Sequence, residues 1–269
     1  MDLERRHIRL AGSSNFRDIG GYPAADGMKI KWGRVYRSGS LWGLTAFDWE
    51  WVERQQIAVL CDLRSDAERE VAPTPWRAPT QPRQVGKVYD GAMLFERRKA
   101  QKAAGIGAIE SDLYVQFAHI LAPSFRGFFE ALRDGDAPAV IHCTAGQDRT
   151  GLAIGLLLGV LGVDRAIIHA DYLLSTDLRV PENELDRTKL TELADSNVLA
   201  AYYSTLIARH GPSIFQPKRL VDAEGNPLIE IAIAGIVNQW GSVSRYMEAE
   251  LGMGPAQIAK LREQMLEPV

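Results

Sequence analysis

The pattern of apolar and polar positions predicts strands that alternate with helices along the chain. Short apolar runs bounded by turn residues predict strands at 57–63 and 139–142. Apolar residues at helical spacing predict a helix that Thr45 caps and that runs to about Gln55. This alternation is typical of α/β proteins, in which a mostly parallel sheet lies between layers of helices.

The same pattern predicts most of the remaining elements. Further helices are expected at 111–121, 124–133, 244–251 and 255–266, and along the apolar segment that follows residue 149. Glycine-rich turns around the extended runs 28–32 and 34–37 predict an N-terminal hairpin. A strand is expected at 85–89, and the flanks of the turn at 222–227 predict a second hairpin.

Composition and charge exclude several classes of protein. The chain has 269 residues, 46% of them hydrophobic and 24% charged, which is ordinary for a globular protein. The net charge of −3 gives no general attraction to nucleic acid, so we expect no nucleic-acid partner. The longest apolar run, 151–163, is too short for a transmembrane segment. No secretory signal is visible at the start, so we expect a cytoplasmic location, with non-classical secretion left open.

The segment 143–149 carries the candidate chemistry, because it lies between a predicted strand and an apolar helix. Backbone N–H groups of a tight loop at a helix N-terminus bind anions. Ala145 and Gly146 keep side chains out of such a cradle, and Arg149 offers a planar fork for two phosphate oxygens. The same positive environment favours the thiolate of Cys143, so one loop supplies a nucleophile and an anion site.

Four segments together resemble one protein family, the atypical bacterial tyrosine phosphatases. Residues 142–151, HCTAGQDRTG, are similar to the family's phosphate-binding loop HCxAGKDRTG. The other three similar segments are NFRDIGGY at 15–22, RVYRSGSL at 34–41 and DLR at 62–64. The resemblance implies a three-layer α/β phosphatase-like fold of the cysteine-dependent type, with a central, mostly parallel sheet and no metal or cofactor.

The resemblance also implies roles for particular residues. It implies that phosphate is bound by Cys143, Thr144, Ala145, Gly146, Gln147, Asp148 and Arg149. Cys143 would form a phosphocysteine intermediate, and Thr150 would donate to its sulfur. The leaving oxygen needs a general acid, and either Asp62 or Asp148 fits that role. The alternatives are that Asp62 holds Arg64 and that Asp148 caps a helix.

Two arginines outside the loop are candidates for the pocket. Arg17 and Arg64 could each line it, but a structural ion pair of Arg17 with Asp18 or another carboxylate fits equally well.

The similarity of the chain to this family is weakest in two segments. We therefore expect one domain, 1–269, with a lid insertion at 91–110 and a variable insertion at 212–233.

The substrate class is a phosphorylated protein or a small phosphate monoester, and phosphotyrosine is the expected substrate. Gln147 replaces the family's lysine, which removes a cation from the loop and disfavours polyphosphorylated inositides. The tripeptide WPD, which carries the general acid in eukaryotic-type enzymes, does not occur in the sequence. The alternatives are a dual-specificity or phosphoinositide phosphatase, a catalytically silent phosphate-binding module and a sulfurtransferase.

Overall fold

The computed structural model describes residues 2–92 and 109–269 and contains a central five-stranded sheet. In sheet order the strands are β1 (Arg17–Asp18), β3 (Val35–Ser38), β6 (Ala139–His142), β4 (Val59–Asp62) and β5 (Arg83–Gln84). All neighbouring pairs are parallel except β1 with β3. The predicted α/β architecture with a mostly parallel sheet is therefore confirmed.

Helices cover both faces of this sheet. In the described ranges they are α1 (Leu3–Arg6), α2 (Ala46–Gln55), α3 (Asp66–Val71), α4 (Ile109–Ile120), α5 (Ala122–Arg133), α6 (Asp148–Val160), α7 (Arg165–Asp177), α8 (Arg187–Glu192), α9 (Val198–His210), α10 (Ile229–Trp240), α11 (Val243–Leu251) and α12 (Pro255–Met265). Side chains alternate along the central strand, so Ile141 joins the large core that includes α5 and α6, while Val140 packs with Trp49 of α2.

The register brings three strand ends to one edge of the sheet. His142, the last residue of β6, pairs with Ser38 at the end of β3 and with Asp62 at the end of β4. The segments that follow β6 and β4 therefore leave the sheet side by side, which is where α/β proteins commonly place their sites. A small cluster of apolar residues from α3, α8 and α9 lies near this edge.

Two local predictions of strand pairing are wrong. The run 28–32 does not form a hairpin with 34–37: β2 (Met28–Ile30) pairs with β7 (Leu266–Pro268), and β3 enters the central sheet. The second predicted hairpin is reduced to one bridge between Val221 and Pro227, after which α10 begins. In both cases the turn residues are present, but long-range packing decides which partner the flanking backbone takes.

The predicted helices agree better with the structure. Thr45 caps α2, and its hydroxyl forms a reciprocal capping box with Asp48. The strand expected at 85–89 is wrong in position, since the ladder ends at β5, although the Val85 N–H still donates to the carbonyl of Leu60. Residues 93–108 of the expected lid lie outside the described residues, so that expectation stays a prediction. No helix of the described part has the length and apolar character needed to cross a membrane.

Candidate active site

The loop between β6 and α6 folds tightly against the end of β3. Gly146 has a φ of +69°, and a Cβ there would lie 2.6 Å from the carbonyl of Ser38 and from the Gly39 nitrogen. A side chain at this position would force the backbone apart and would also be strained in its own conformation. The small residue expected from the sequence is thus required by the packing of the loop on its neighbour.

Residues outside the loop donate hydrogen bonds to its carbonyl groups. The Ser40 N–H donates to the carbonyl of Thr144 at 2.8 Å. The carbonyl of Gly146 accepts from Asn15 Nδ2 at 2.9 Å and from Arg37 Nη2 at 2.8 Å. In contrast, the backbone N–H groups of 144–149 donate to no acceptor among the described residues. The loop therefore offers donors, which is the requirement for an anion site.

Arg149 is held by a carboxylate that the sequence pattern does not indicate. Its Nη1 and Nη2 donate to the two oxygens of Glu68, each at 2.6 Å, and Nη1 also donates to the Tyr89 hydroxyl at 2.9 Å. The Nε atom of Arg149 contacts no acceptor in the described part of the chain. The N–H of Nε and the second N–H of Nη2 are thus available to donate to an oxyanion.

Glu68 connects the helix that follows β4 to the loop. It is the third residue of the capping box of α3, where its carboxylate accepts from the Ser65 N–H, and the Thr144 hydroxyl donates to it as well. Burial raises the pKa of Glu68, but the charge of Arg149 and the hydrogen bonds outweigh burial and lower that pKa to about 2. The spacing Ser65 to Glu68 predicts a helix start, but nothing in it indicates the contact with Arg149.

The structure places Asp62 in a different environment from the one expected of a proton donor. Its two carboxylate oxygens accept from Nε and Nη2 of Arg64 at 2.9 and 2.8 Å, and Arg69 lies 3.4 Å away. Burial raises the pKa of Asp62, but the charges of His142, Arg64 and Arg69 hold it well below its usual range. Asp62 and Arg64 are not among the residues that line the pocket. This arrangement matches the alternative that Asp62 holds Arg64, and a pocket role for Arg64 is not supported.

Asp148, the other candidate acid, lies at the first turn of α6 and lines the pocket. Its carboxylate accepts a hydrogen bond from the hydroxyl of Tyr114 on α4. The Tyr114 hydroxyl also lies 3.1 Å from that of Tyr172. Burial and the nearby Asp148 raise the pKa of Tyr114, so this phenol stays protonated and acts as a donor to the carboxylate.

A buried ionic network lies beneath the loop and includes Arg17. Asp171 binds Arg17 Nε at 3.0 Å and Arg37 Nη1 at 2.5 Å, and all three side chains are at most 1% exposed. Arg17 thus forms the structural ion pair left open by the sequence, with Asp171 as its partner, and does not line the pocket. Two guanidinium groups share one carboxylate, so the network has an excess positive charge next to the carbonyl of Gly146. That charge favours an anion in the loop above it.

The remaining candidate residues of the loop are buried. Cys143 is 2% exposed, and the hydroxyl oxygen of Thr150 has no hydrogen-bond partner in the described residues, the sulfur of Cys143 included. Gln147 donates weakly to Thr176, and its oxygen accepts from Arg179 at 3.0 Å. The expected bond from Thr150 to the sulfur is therefore not formed in this structure.

The loop forms the floor of an open pocket of about 310 Å³. The polar side of the pocket contains Glu68, Asp148 and Arg149. Its walls are apolar and aromatic and are formed by Leu113, Phe117, Leu185, Leu199, Tyr202, Tyr203 and Ile214. In the described ranges no group of three or more histidine, cysteine or acidic side chains could hold a metal ion.

Comparison with known proteins agrees with this geometry. A family model described as the tyrosine phosphatase family matches residues 8–267. A Cupriavidus necator protein named as a tyrosine-protein phosphatase is 31% identical over 261 residues, which is 94% of this chain and 87% of that protein. The triple specificity protein phosphatase PtpB of Mycobacterium tuberculosis is 28% identical over 303 residues, which is 96% of this chain and 98% of its own length. The chain belongs to the tyrosine phosphatase family and is a protein phosphatase.

Proposed function

We propose that this phosphatase hydrolyses phosphotyrosine through a phosphocysteine intermediate on Cys143. The observation that carries the proposal is the loop 143–149. The backbone N–H groups that follow Cys143 donate to no acceptor among the described residues, and Arg149 keeps one edge of its guanidinium open. Donors fixed in this way favour the charge that develops on the phosphoryl oxygens during transfer. Glu68 contributes by holding Arg149 at the floor of the pocket.

The reaction then has two steps. In the first, the sulfur of Cys143 attacks phosphorus, the bond from phosphorus to the tyrosyl oxygen breaks, and Asp148 gives its proton to that oxygen. In the second, water attacks phosphorus, its proton passes to Asp148, and the thiolate leaves. We assign the acid to Asp148 because it lines the pocket, whereas Asp62 is bound by Arg64 outside it.

The apolar walls support an aromatic leaving group. Leu185, Leu199 and Tyr203 can pack against a phenyl ring, which a phosphotyrosine has and an inositol phosphate lacks. One relative is named a triple specificity phosphatase, so activity on phosphoserine or phosphothreonine is the second candidate. We also expect the protein to be cytoplasmic.

The test is hydrolysis of matched phosphotyrosine and phosphoserine peptides and of a bisphosphorylated inositide in the presence of a chelator. We expect the highest kcat/KM on the phosphotyrosine peptide, and a covalent phosphoenzyme on Cys143 after rapid acid quench. A higher kcat/KM on either other substrate would contradict the phosphotyrosine assignment. Sulfur transfer from thiosulfate to cyanide without phosphatase turnover would contradict the whole mechanism.

Substitution of each candidate acid is expected to give a different result. Asp148→Asn should slow aryl phosphates with poor leaving groups by about 10²–10⁴-fold and those with good leaving groups much less. Asp62→Asn should lower kcat/KM by the same factor for all leaving groups, because the role of Asp62 is to hold Arg64. The measurement is the slope of log kcat/KM against the pKa of the leaving phenol. An unchanged slope in Asp148→Asn, or a changed slope only in Asp62→Asn, would reverse the assignment.

A further inference from the structure

Arg179 is a cation at the pocket that the proposed mechanism does not use. It lies just after α7, and its Nη1 donates to the oxygen of Gln147 at 3.0 Å. Its side chain is 14% exposed and lines the same pocket as Asp148 and Arg149. Glutamine at 147 removes the cation that the resemblance predicts within the loop itself. The fold instead brings a guanidinium to that place from a segment outside the loop.

Glu184 fixes the guanidinium of Arg179 in place. Nε and Nη2 donate to the two carboxylate oxygens of Glu184 at 2.7 and 2.6 Å, and the hydroxyl of Ser14 donates to the same carboxylate at 2.9 Å. An arginine held at two points has lost most of its rotamer freedom before a ligand arrives. The pair has no net charge, so Arg179 acts on a ligand at short range.

Arg179 has N–H groups that are free to bind a ligand. A guanidinium has five N–H groups, of which Nε, one on Nη1 and one on Nη2 are bound by Glu184 and Gln147. The other N–H of Nη1 and of Nη2 meet no acceptor in the described parts of the chain. The substrate phosphate is taken by the loop and by Arg149, so these two donors are left for a second acidic group.

We propose that Arg179 binds a carboxylate beside the phosphotyrosine and so selects acidic phosphotyrosine peptides. This specificity rests on the proposed function, since it presumes that phosphotyrosine occupies the loop. A peptide is favoured over a polyphosphorylated inositide because Leu185, Leu199 and Tyr203 give the pocket apolar walls next to Arg179. An aromatic ring fits between such walls, and an adjacent peptide residue then extends over Arg179.

The experiment compares two phosphotyrosine peptides that differ only in having aspartate or asparagine on both sides of the phosphotyrosine. The wild-type protein is expected to prefer the aspartate peptide by about 3- to 10-fold in kcat/KM, which is the range of one partly exposed hydrogen bond. In Arg179→Gln the ratio should fall to about one. Because that change leaves Glu184 without its partner, the double variant R179Q/E184Q repeats the test without an unpaired buried carboxylate.

A matched control is Arg165→Gln. Arg165 also forms a two-point ion pair with a glutamate, Glu230, but it does not line this pocket. Its peptide ratio should equal that of the wild type. A purely structural role of Arg179 would lower turnover of both peptides equally and leave their ratio intact.

The outcomes separate this proposal from the function on which it rests. Hydrolysis of both peptides with no preference in the wild type, or a preference kept in both Arg179 variants, would overturn the specificity and leave the phosphatase mechanism standing. If Arg179→Gln lost activity on a bisphosphorylated inositide but not on the peptides, Arg179 would be a contact of the inositide phosphates. That result would overturn the peptide proposal. Turnover of neither peptide would contradict the proposed function itself.

Discussion

Cys143→Ser is expected to abolish hydrolysis of phosphotyrosine peptides while leaving their binding in place. A hydroxyl at neutral pH is a far weaker nucleophile than a thiolate, so kcat should fall by about 10⁴-fold or more. The backbone donors of 144–149 and the guanidinium of Arg149 are unchanged, so the Kd of a labelled phosphotyrosine peptide should stay within about threefold of the wild-type value. Single-turnover kinetics and fluorescence anisotropy measure the two quantities.

The second cysteine provides the matched control. Cys61 lies on β4, its thiol is 3.7 Å from the carbonyl of Ser124, and burial together with Asp62 raises its pKa. Cys61→Ala should keep kcat and cost only about 1 kcal/mol of unfolding free energy, as a typical core substitution does. Turnover near the wild-type level in Cys143→Ser would refute the phosphocysteine mechanism. An equal loss in both cysteine variants would show a general effect on folding.

Asp171→Asn is expected to lower the free energy of unfolding by about 3–5 kcal/mol, because it breaks a buried ion pair from one side. Arg17 and Arg37 then remain in the interior without a counter-charge. The change is nearly isosteric, so the loss cannot be attributed to a cavity. Urea unfolding at pH 7 measures it, provided that the transition is two-state.

An exposed ion pair between the edge strand β5 and the turn before β6 is the reference for this measurement. Asp136 binds Arg83 at 2.7 Å, but the two side chains are 42% and 53% exposed. Asp136→Asn should therefore change the unfolding free energy by less than about 1 kcal/mol. If the two aspartate variants lost the same small amount, the network beneath the loop would not be the source of stability that its burial implies.

The sequence was sufficient where the determining residues are neighbours in the chain. The strand and the helix predicted on either side of residues 143–149 are both present, as β6 and α6. The anion cradle expected between them stays a prediction. Thr45 and Asp48 likewise determine the start of α2 within four positions. Such local signals need no information about the rest of the fold.

The sequence was insufficient where a residue acts through a distant partner. The sequence indicates only a helix start for Glu68 and no role for Arg179. The packing of α3 and of the segment after α7 brings both residues to the loop. Arg17 had several carboxylates as candidate partners, and the fold selected Asp171. Charge pairing has no periodicity along the chain, so pattern analysis cannot choose among partners.

The position of β6 at the centre of the sheet has a consequence for synthesis of the chain. β3 and β4 are made first, yet each takes β6 as a neighbour and neither pairs with the other. At the usual translation speed, roughly 4–15 s pass between the appearance of residue 62 and that of residue 139. During that interval the nascent chain exposes unpaired strand edges, which are templates for aggregation. The strand that leads into the loop 143–149 is therefore also the one that ends this vulnerable period on the ribosome.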